Sequence, residues 1–258
     1  MELSFHIVSH VPGTQSIDRA AELLVRVIES DGAIGVGELA AASGLPKSTT
    51  SRLVGALERQ GLLERDGQRG RVRPGPVLVR FAHRADETLV HLADDALRRL
   101  AQRSGETVNL GVPAYQAVEH LAQRDSRHFV GVGNWIGRRV PLHATANGKV
   151  FLAYEAAPVP AVLDRVAPGT ITDPAQLECE LAEVRARGYA VAVDELEEGL
   201  AALATPVFGP DGAVVAALSV SGPSARLTAE RMDAVVPILQ QESRGLSARL
   251  GHTNRGAA

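Results

Sequence analysis

Residues 36–63 read VGELAAASGLPKSTTSRLVGALERQGLL, and they contain two short helical patterns that meet at a Gly-Leu-Pro turn. In the second pattern, side chains suited to a core recur at helical spacing on one face: Thr50, Leu53, Val54 and Leu57. Pro46 suits the first position of that helix, because the N–H that it lacks would make no helical hydrogen bond there. The first pattern carries alanines where two helices would cross closely. The stretch therefore predicts a helix-turn-helix, whose second helix enters the major groove of DNA.

The opposite face of the second helix is polar. Its candidate DNA-binding residues are Lys47, Ser48, Thr49, Ser51 and Arg52. These side chains can donate hydrogen bonds to base edges and phosphates. Arg52 is the best candidate for a bidentate contact with guanine, because its guanidinium matches the two acceptors of that base.

The chain as a whole is slightly acidic, but one segment of it is strongly basic. The formal net charge is −3, which excludes a protein that coats nucleic acid with its whole surface. Between residues 47 and 80, however, eight basic residues stand against three acidic ones. Such a local excess is what the neutralisation of phosphates requires. It also counts against the alternative that this module contacts another protein instead of DNA.

Residues 62–75 read LLERDGQRGRVRPG, in which Asp-Gly and Arg-Gly pairs interrupt two short β-like pieces. This pattern predicts a β-hairpin. Together with three helices it would complete a winged helix-turn-helix over residues 14–75. We expect Arg69, Arg71 and Arg73 to contact the DNA backbone or the minor groove. The alternative is a solvated surface hairpin with no partner.

The remainder of the chain predicts a linker and a second domain. Residues 76–104 have a helical pattern, which we interpret as two linker helices that also supply a dimer contact. Residues 105–251 alternate between strand and helix patterns, which indicates an α+β domain with a mixed or antiparallel sheet flanked by helices. Within it we expect a strand at residues 129–132 and a helix at residues 160–166.

Motifs for catalysis, cofactors and metals are missing from the sequence. The glycines at residues 131–137 do not have the spacing of a dinucleotide-binding turn, and Gly148-Lys149 lacks the rest of a phosphate-binding loop. The histidines and the lone Cys179 show no metal-ligand spacing. We therefore predict no catalytic residue, no cofactor and no metal. A single cysteine, no secretion signal and no apolar run of about 20 residues indicate a cytoplasmic protein without a membrane anchor.

Polar residues and glycines at the ends of predicted strands suggest a small-molecule pocket. They are Thr145, Gly148, Asp194, Ser219 and Ser221. A few hydroxyl and carboxyl groups within an apolar cavity suit a small polar ligand. The spacing alone favours the alternative, in which Ser219 and Ser221 are ordinary strand residues and Asp194 is a turn residue.

The sequence resembles the IclR family of bacterial transcription regulators from about Ser16 to Leu250. The matching segments occur in the order and spacing of the family: SIDRAAELL, ELAAASGLPKSTTSRLVGAL, PLHATANGKVFLA, RARGYAV, EEGLAALATPV and VVAALSVSGPSARLT. The resemblance implies an N-terminal winged helix-turn-helix, a linker helix and a C-terminal GAF-like effector-binding domain. It also implies a homodimer or homotetramer that binds double-stranded operator DNA and responds to small metabolites, often organic or aromatic acids.

The resemblance further implies where the effector binds. Carried over by position, the effector-binding residues are Ala144, Thr145, Ala146, Gly148, Asp194, Ala202, Ser219 and Ser221. Many members have Cys or Ser where this chain has Ala202, which favours a larger or more apolar effector. Thr50 stands where Val is usual, and its methyl group can still pack.

These observations predict a ligand-responsive transcriptional regulator, which we expect to be a repressor, with an organic-acid-like effector. One alternative is an enzyme that acts on a small acid and carries an appended helix-turn-helix. The absence of any acid–base pair or metal-ligand spacing argues against this alternative.

Overall fold

A computed structural model describes residues 15–30, 32–67, 70–114 and 116–253. The chain divides into two compact units, Met1–Ala85 and Asp86–Ala258. The division falls inside a helix, and each unit has a hydrophobic core of its own.

The first unit has the winged helix-turn-helix architecture. Its elements are α1 (Gln15–Ile28), β1 (Ile34–Gly35), α2 (Val36–Ser43), α3 (Lys47–Arg59), β2 (Leu63–Asp66) and β3 (Arg71–Pro74). The three strands form an antiparallel sheet in the order β1-β3-β2, so the predicted hairpin gains a third strand. Leu23, Leu39, Val54 and Val72 are fully buried where the helices meet this sheet.

The turn between α2 and α3 is built from the residues that the sequence indicates. Gly44 ends α2 in the left-handed conformation with φ of 64°, and its N–H bonds back to the last turn of the helix. Pro46 precedes the first helical residue, Lys47, so it lies one position earlier than predicted. Thr50 is completely buried, and its hydroxyl donates to the Pro46 carbonyl at 3.2 Å. The threonine therefore fills a core position without an unsatisfied hydroxyl.

A single helix, α4 (Pro76–Ser104), replaces the two linker helices that we expected. The sequence after Pro76 contains no glycine or proline before Gly105, so nothing in it ends the helix early. Ala93, Leu97 and Leu100 on its second half are buried in the core of the second unit.

The second unit is an α+β domain around a six-stranded sheet. Its further elements are β4 (Thr107–Ala114), β5 (Ala117–Arg124), β6 (Arg139–Pro141), α5 (Ala146–Ala153), α6 (Pro174–Arg187), β7 (Ala190–Val193), β8 (Leu200–Phe208), β9 (Val214–Pro223) and α7 (Ala229–Arg249). The strand order is β6-β5-β4-β9-β8-β7, and every neighbouring pair is antiparallel. One face of the sheet packs against α4 and α7, and the other against α5 and α6.

Two expected elements of this unit are wrong. Residues 129–132 form no strand, and the Phe129 ring is fully exposed. Residues 160–166 form no helix. Prolines at 158, 160 and 168 interrupt that segment, and Val162 and Val166 are exposed, so it has no buried face that would stabilise a helix.

The described helices include none with the length and apolar character needed to cross a bilayer. Within the described residues, no three His, Cys, Asp or Glu side chains come together as metal ligands would.

Candidate nucleic-acid interface and ligand cavity

Helix α3 has one face buried in the core and an opposite face exposed to solvent. Thr50, Val54 and Leu57 anchor the helix in the core. On the outer face Lys47, Ser48, Ser51 and Arg52 are exposed and Thr49 is half-buried. Neither Lys47 nor Arg52 forms an ion pair with any residue that the structure describes. Both charges are therefore available to a partner.

A shallow groove between α1 and α3 extends this cationic face. Its walls include Arg19 of α1 together with Arg52 and Arg59 of α3, and no acidic side chain among the described residues lines it. Sequence analysis missed Arg19, because its position beside α3 depends on the packing of two helices that are separate in sequence.

The wing places its arginines by strand alternation. Val72 of β3 points into the core, so Arg71 and Arg73 on either side of it lie on the solvent face. The Arg73 Nε atom lies 2.6 Å from Oε1 of Glu64 on β2. Arg71 has no such partner within the described part of the chain. The third predicted wing residue, Arg69, lies outside the described residues.

A cavity in the second unit lies between the sheet and the beginning of α5. Its empty volume is about 490 Å³, a figure that includes the open space at its mouth. Six of the eight predicted effector-binding residues line it: Ala144, Thr145, Ala146, Ala202, Ser219 and Ser221. The other residues that line it are Asn109, His120, Trp135, Val140, Asn147, Ala192, Glu195, Leu196 and Leu200.

Strand register brings the polar groups of the sheet together. Ser219 of β9 stands opposite Asn109 of β4, and Ser221 stands opposite Ala202 of β8. The Asn109 side-chain amide donates to the Ser221 hydroxyl at 3.3 Å. Ala202 offers only a methyl group at the position where the resemblance suggested a polar contact.

The beginning of α5 forms another wall. Thr145 caps this helix: its hydroxyl accepts from the Gly148 N–H at 3.1 Å and donates to the Pro141 carbonyl at 2.9 Å. The N–H groups of Ala146 and Asn147 belong to the first turn, so they have no partner within the helix. They lie at the positive end of the helix dipole, which favours a negatively charged ligand group.

Gly148 and Asp194 do not line the cavity, contrary to the prediction. A Cβ atom on Gly148 would lie 2.0 Å from the Leu142 carbonyl oxygen, so this glycine permits close packing of α5 on the preceding segment. The Asp194 carboxylate accepts from the Gly199 N–H at 2.7 Å and stabilises the β7–β8 turn, in which Asp194 has φ of 56°. The neighbouring Glu195 occupies the cavity wall instead.

His120 is a neutral cavity residue. Burial lowers its pKa from 6.5 to about 4, against the opposing effect of the Arg138 backbone. Its Nε2 atom lies 3.4 Å from the Asn147 amide nitrogen, whereas Nδ1 makes no hydrogen bond of normal geometry with the described protein atoms. The aromatic ring of Trp135 lies nearby, with 6.3 Å between ring centroids.

Glu195 is tied to a buried lysine. Lys149 of α5 is only 1% exposed, and its Nζ donates to Glu195 Oε1 at 2.7 Å and to the Val191 carbonyl at 2.8 Å. Burial raises the pKa of Glu195, and the Lys149 ammonium opposes that rise. Neither lysine nor arginine is among the described residues that line the cavity itself.

An exposed cationic helix in a winged helix-turn-helix, joined in one chain to a domain with a small-molecule cavity, defines the class of ligand-responsive DNA-binding regulators. Comparison with known proteins identifies the family. The model of the IclR helix-turn-helix domain matches residues 16–67, and that of the bacterial transcriptional regulator IclR C-terminal domain matches residues 82–248. The chain belongs to the IclR family of transcriptional regulators, which bind DNA through the first domain and effectors through the second.

Individual relatives can be aligned with this chain along nearly its whole length. The transcriptional repressor AllR of Klebsiella pneumoniae is 32% identical, over 93% of this chain and 91% of that protein. A crystal structure of an IclR regulator from Silicibacter sp. TM1040 is 30% identical with a TM-score of 0.63, over 92% of this chain and 97% of that one. An IclR homologue from Microbacterium hydrocarbonoxydans, crystallised with 4-hydroxybenzoate, is 29% identical with a TM-score of 0.58. The match covers 91% of this chain and 98% of that one. The enzyme alternative has no support in a family of regulators.

Proposed function

We propose that this chain regulates transcription by placing α3 in the major groove of an operator. The observation that carries this proposal is the exposure of Lys47 and Arg52 on a helix whose other face is buried. Neither side chain forms an ion pair with the described residues. The residues that would donate to bases and phosphates are Lys47, Ser48, Thr49, Ser51 and Arg52. Wing residues Arg69, Arg71 and Arg73 would contact the backbone beside the recognition helix.

The proposed effector is a small organic-acid-like metabolite that binds in the cavity of the second unit. Its carboxylate would bind the first-turn N–H groups of α5, because no cationic side chain is found among the described lining residues. Ala202, Ser219 and Ser221 would contact the rest of the molecule. An aromatic acid bound to the Microbacterium relative supports this ligand class, since Trp135 and Leu196 can cover a flat apolar ring.

We propose that the regulator is a repressor that acts in the cytoplasm, where its DNA is, as a homodimer or homotetramer. The repressor AllR among the relatives supports the sign of regulation. Exposed apolar side chains on α4 support self-association, and Phe81 with 72% exposure is the largest of them.

The direct test is binding to duplexes that the wild-type protein selects from a random library, followed by fluorescence anisotropy at several salt concentrations. We expect affinity to fall steeply with salt, because each neutralised phosphate releases counterions. Binding that is insensitive to salt, or failure to select any duplex, would contradict DNA recognition and favour a protein partner.

A further inference from the structure

Glu195 is the single acidic side chain among the described residues that line the cavity. It is 7% exposed, so its carboxylate has little access to solvent. Lys149 binds only one of its two oxygens, Oε1, at 2.7 Å. The other oxygen, Oε2, makes no hydrogen bond with the protein atoms that the structure describes. Oε2 is thus a buried acceptor without a partner in the described part of the chain.

The Lys149 ammonium favours the ionised form of Glu195, against the burial that raises the pKa of this carboxyl group. The buried Lys149 ammonium lies between Glu195 and Glu180, whose Oε1 is 3.6 Å from Nζ, and Glu180 is itself paired with Arg187 at 2.9 Å. Breaking the Lys149–Glu195 pair would leave an uncompensated buried charge, which is strongly unfavourable. An ionised carboxylate can only accept hydrogen bonds. A ligand group beside Oε2 must therefore be a donor.

The same wall has further unused acceptors. The side-chain oxygens of Asn109 and Asn147 are buried and have no hydrogen-bond partner among the described residues. Nδ1 of His120 also lacks a hydrogen-bond partner among the described residues, but it is a donor, because Nε2 accepts from the Asn147 amide. A ligand that brought only acceptors would leave the three oxygens unpaired, and buried polar groups without partners are costly. The cavity thus favours a ligand with at least one O–H or N–H group.

We propose that the effector is a hydroxylated monocarboxylic acid, and that Glu195 determines this specificity by accepting the hydroxyl hydrogen at Oε2. The inference rests on the proposed function, in which the ligand carboxylate binds at the beginning of α5. An acid with hydrogen in place of the hydroxyl leaves Oε2 unpaired. A dicarboxylate places a second negative charge beside Glu195. Both kinds of acid should therefore bind more weakly.

Two matched sets of ligands test this preference on the full-length protein by titration calorimetry. One set is 3-hydroxypropionate, propionate and succinate, and the other is 4-hydroxybenzoate, benzoate and terephthalate. Within a set only one group changes, from hydroxyl to hydrogen to carboxylate. In at least one set we expect the hydroxy acid to bind about ten- to a hundredfold more tightly than both partners.

The variant Glu195→Gln separates recognition from structural support. In this variant Lys149 would donate to the side-chain amide oxygen, so the amide N–H₂ group would occupy the position of Oε2. The preference for the hydroxy acid should then fall at least about tenfold, and the dicarboxylate should bind more tightly than to wild type. A residue that only supports the fold would weaken all three ligands together. Asp194→Asn is the matched control, because the adjacent carboxylate stabilises a turn outside the cavity and should leave the ranking unchanged.

The double variant Lys149→Met, Glu195→Gln covers the case in which the single variant does not fold, since it removes both buried charges. It should likewise lose the preference for the hydroxy acid. Equal binding of hydroxylated and unhydroxylated acids by wild type, or an unchanged ranking in a folded variant, overturns the inference while the proposed function stands. If no acid of either set binds, the organic-acid effector itself is overturned as well.

Discussion

Arg52 combines exposure, a rigid helical position and freedom from acidic partners within the described residues. We expect Arg52→Ala to weaken binding to a selected duplex by roughly 1–3 kcal/mol and to relax the sequence preference at one base pair. The measurement is fluorescence anisotropy on that duplex and on single-base variants of it.

Arg103→Ala supplies the control, because Arg103 is equally exposed but lies in the last turn of α4, far along the chain from the recognition helix. It should leave DNA affinity unchanged. If Arg52→Ala and Arg103→Ala behave alike, Arg52 makes no specific base contact.

His120 makes the stability of the second unit depend on pH. Its pKa is about 4 in the folded protein because of burial, against 6.5 when exposed, so the unfolded chain binds more protons between these values. This contribution is constant above about pH 6.5 and is lost as the pH falls toward 4. Between pH 7 and pH 5 the free energy of unfolding of wild type should therefore decrease by about 1–2 kcal/mol more than that of His120→Gln.

Urea unfolding followed by the fluorescence of Trp135, the only tryptophan, measures this difference beside the histidine itself. His91→Gln, at an exposed position on α4, is the matched control and should keep the wild-type pH dependence. Identical pH dependence in wild type and His120→Gln would show that burial of this ring does not shift its titration.

At single positions, the sequence predicted what local pattern determines. The core face of α3, the left-handed Gly44 and six cavity residues follow from periodicity, turn chemistry and the resemblance. Arg19, Asn109, His120 and Glu195 were missed, because their relevance depends on which distant strands and helices become neighbours. Asp194 and Glu195 show why the sequence alone could not identify the cavity residues. The Asp194 carboxylate binds a backbone N–H of the β7–β8 turn, whereas the adjacent Glu195 lines the cavity.

Close packing stabilises helix α5 as much as the helix propensity of its residues does. All eight of its residues are buried, and Gly148 approaches the Leu142 backbone so closely that a methyl group cannot fit. Gly148→Ala should therefore destabilise the second unit by about 1–3 kcal/mol or more, although alanine is the better helix former. Urea unfolding monitored by circular dichroism provides the test.

Gly245→Ala is the comparison for α5, because a Cβ there meets nothing within 4 Å and the residue lies inside α7. That substitution should stabilise the protein by roughly 0.5–1 kcal/mol, because alanine replaces glycine at an exposed position inside a helix. If both substitutions stabilise the protein, α5 has room that the geometry does not show.

Among the elements, long periodic helices were predictable and irregular segments were not. The sequence pattern located α3, α6 and α7, yet it divided α4 into two helices although no residue breaks it. The wrong strand at residues 129–132 and the wrong helix at residues 160–166 are short apolar runs without a periodic buried face. For such runs tertiary packing, rather than local propensity, decides the structure.

For the whole molecule, the proposed function requires a measurable coupling between DNA and effector. The factor by which a ligand changes DNA affinity must equal the factor by which DNA changes ligand affinity, and such factors are typically about 5–150. We expect anisotropy with saturating ligand and calorimetry with saturating duplex to give the same factor. A ligand that binds tightly and leaves DNA affinity unchanged would not be the effector.

The chain contains only two lysines, and they have opposite environments: Lys47 is exposed at the start of α3, and Lys149 is 1% exposed beside Glu195. Amine-reactive reagents should consequently modify Lys47 of the folded protein, but not Lys149 until the domain opens. A dye attached in this way would sit on the proposed recognition helix without any engineered cysteine. Its rate of attachment would also report whether that helix is covered, and slow labelling of Lys149 would time the opening of the cavity wall.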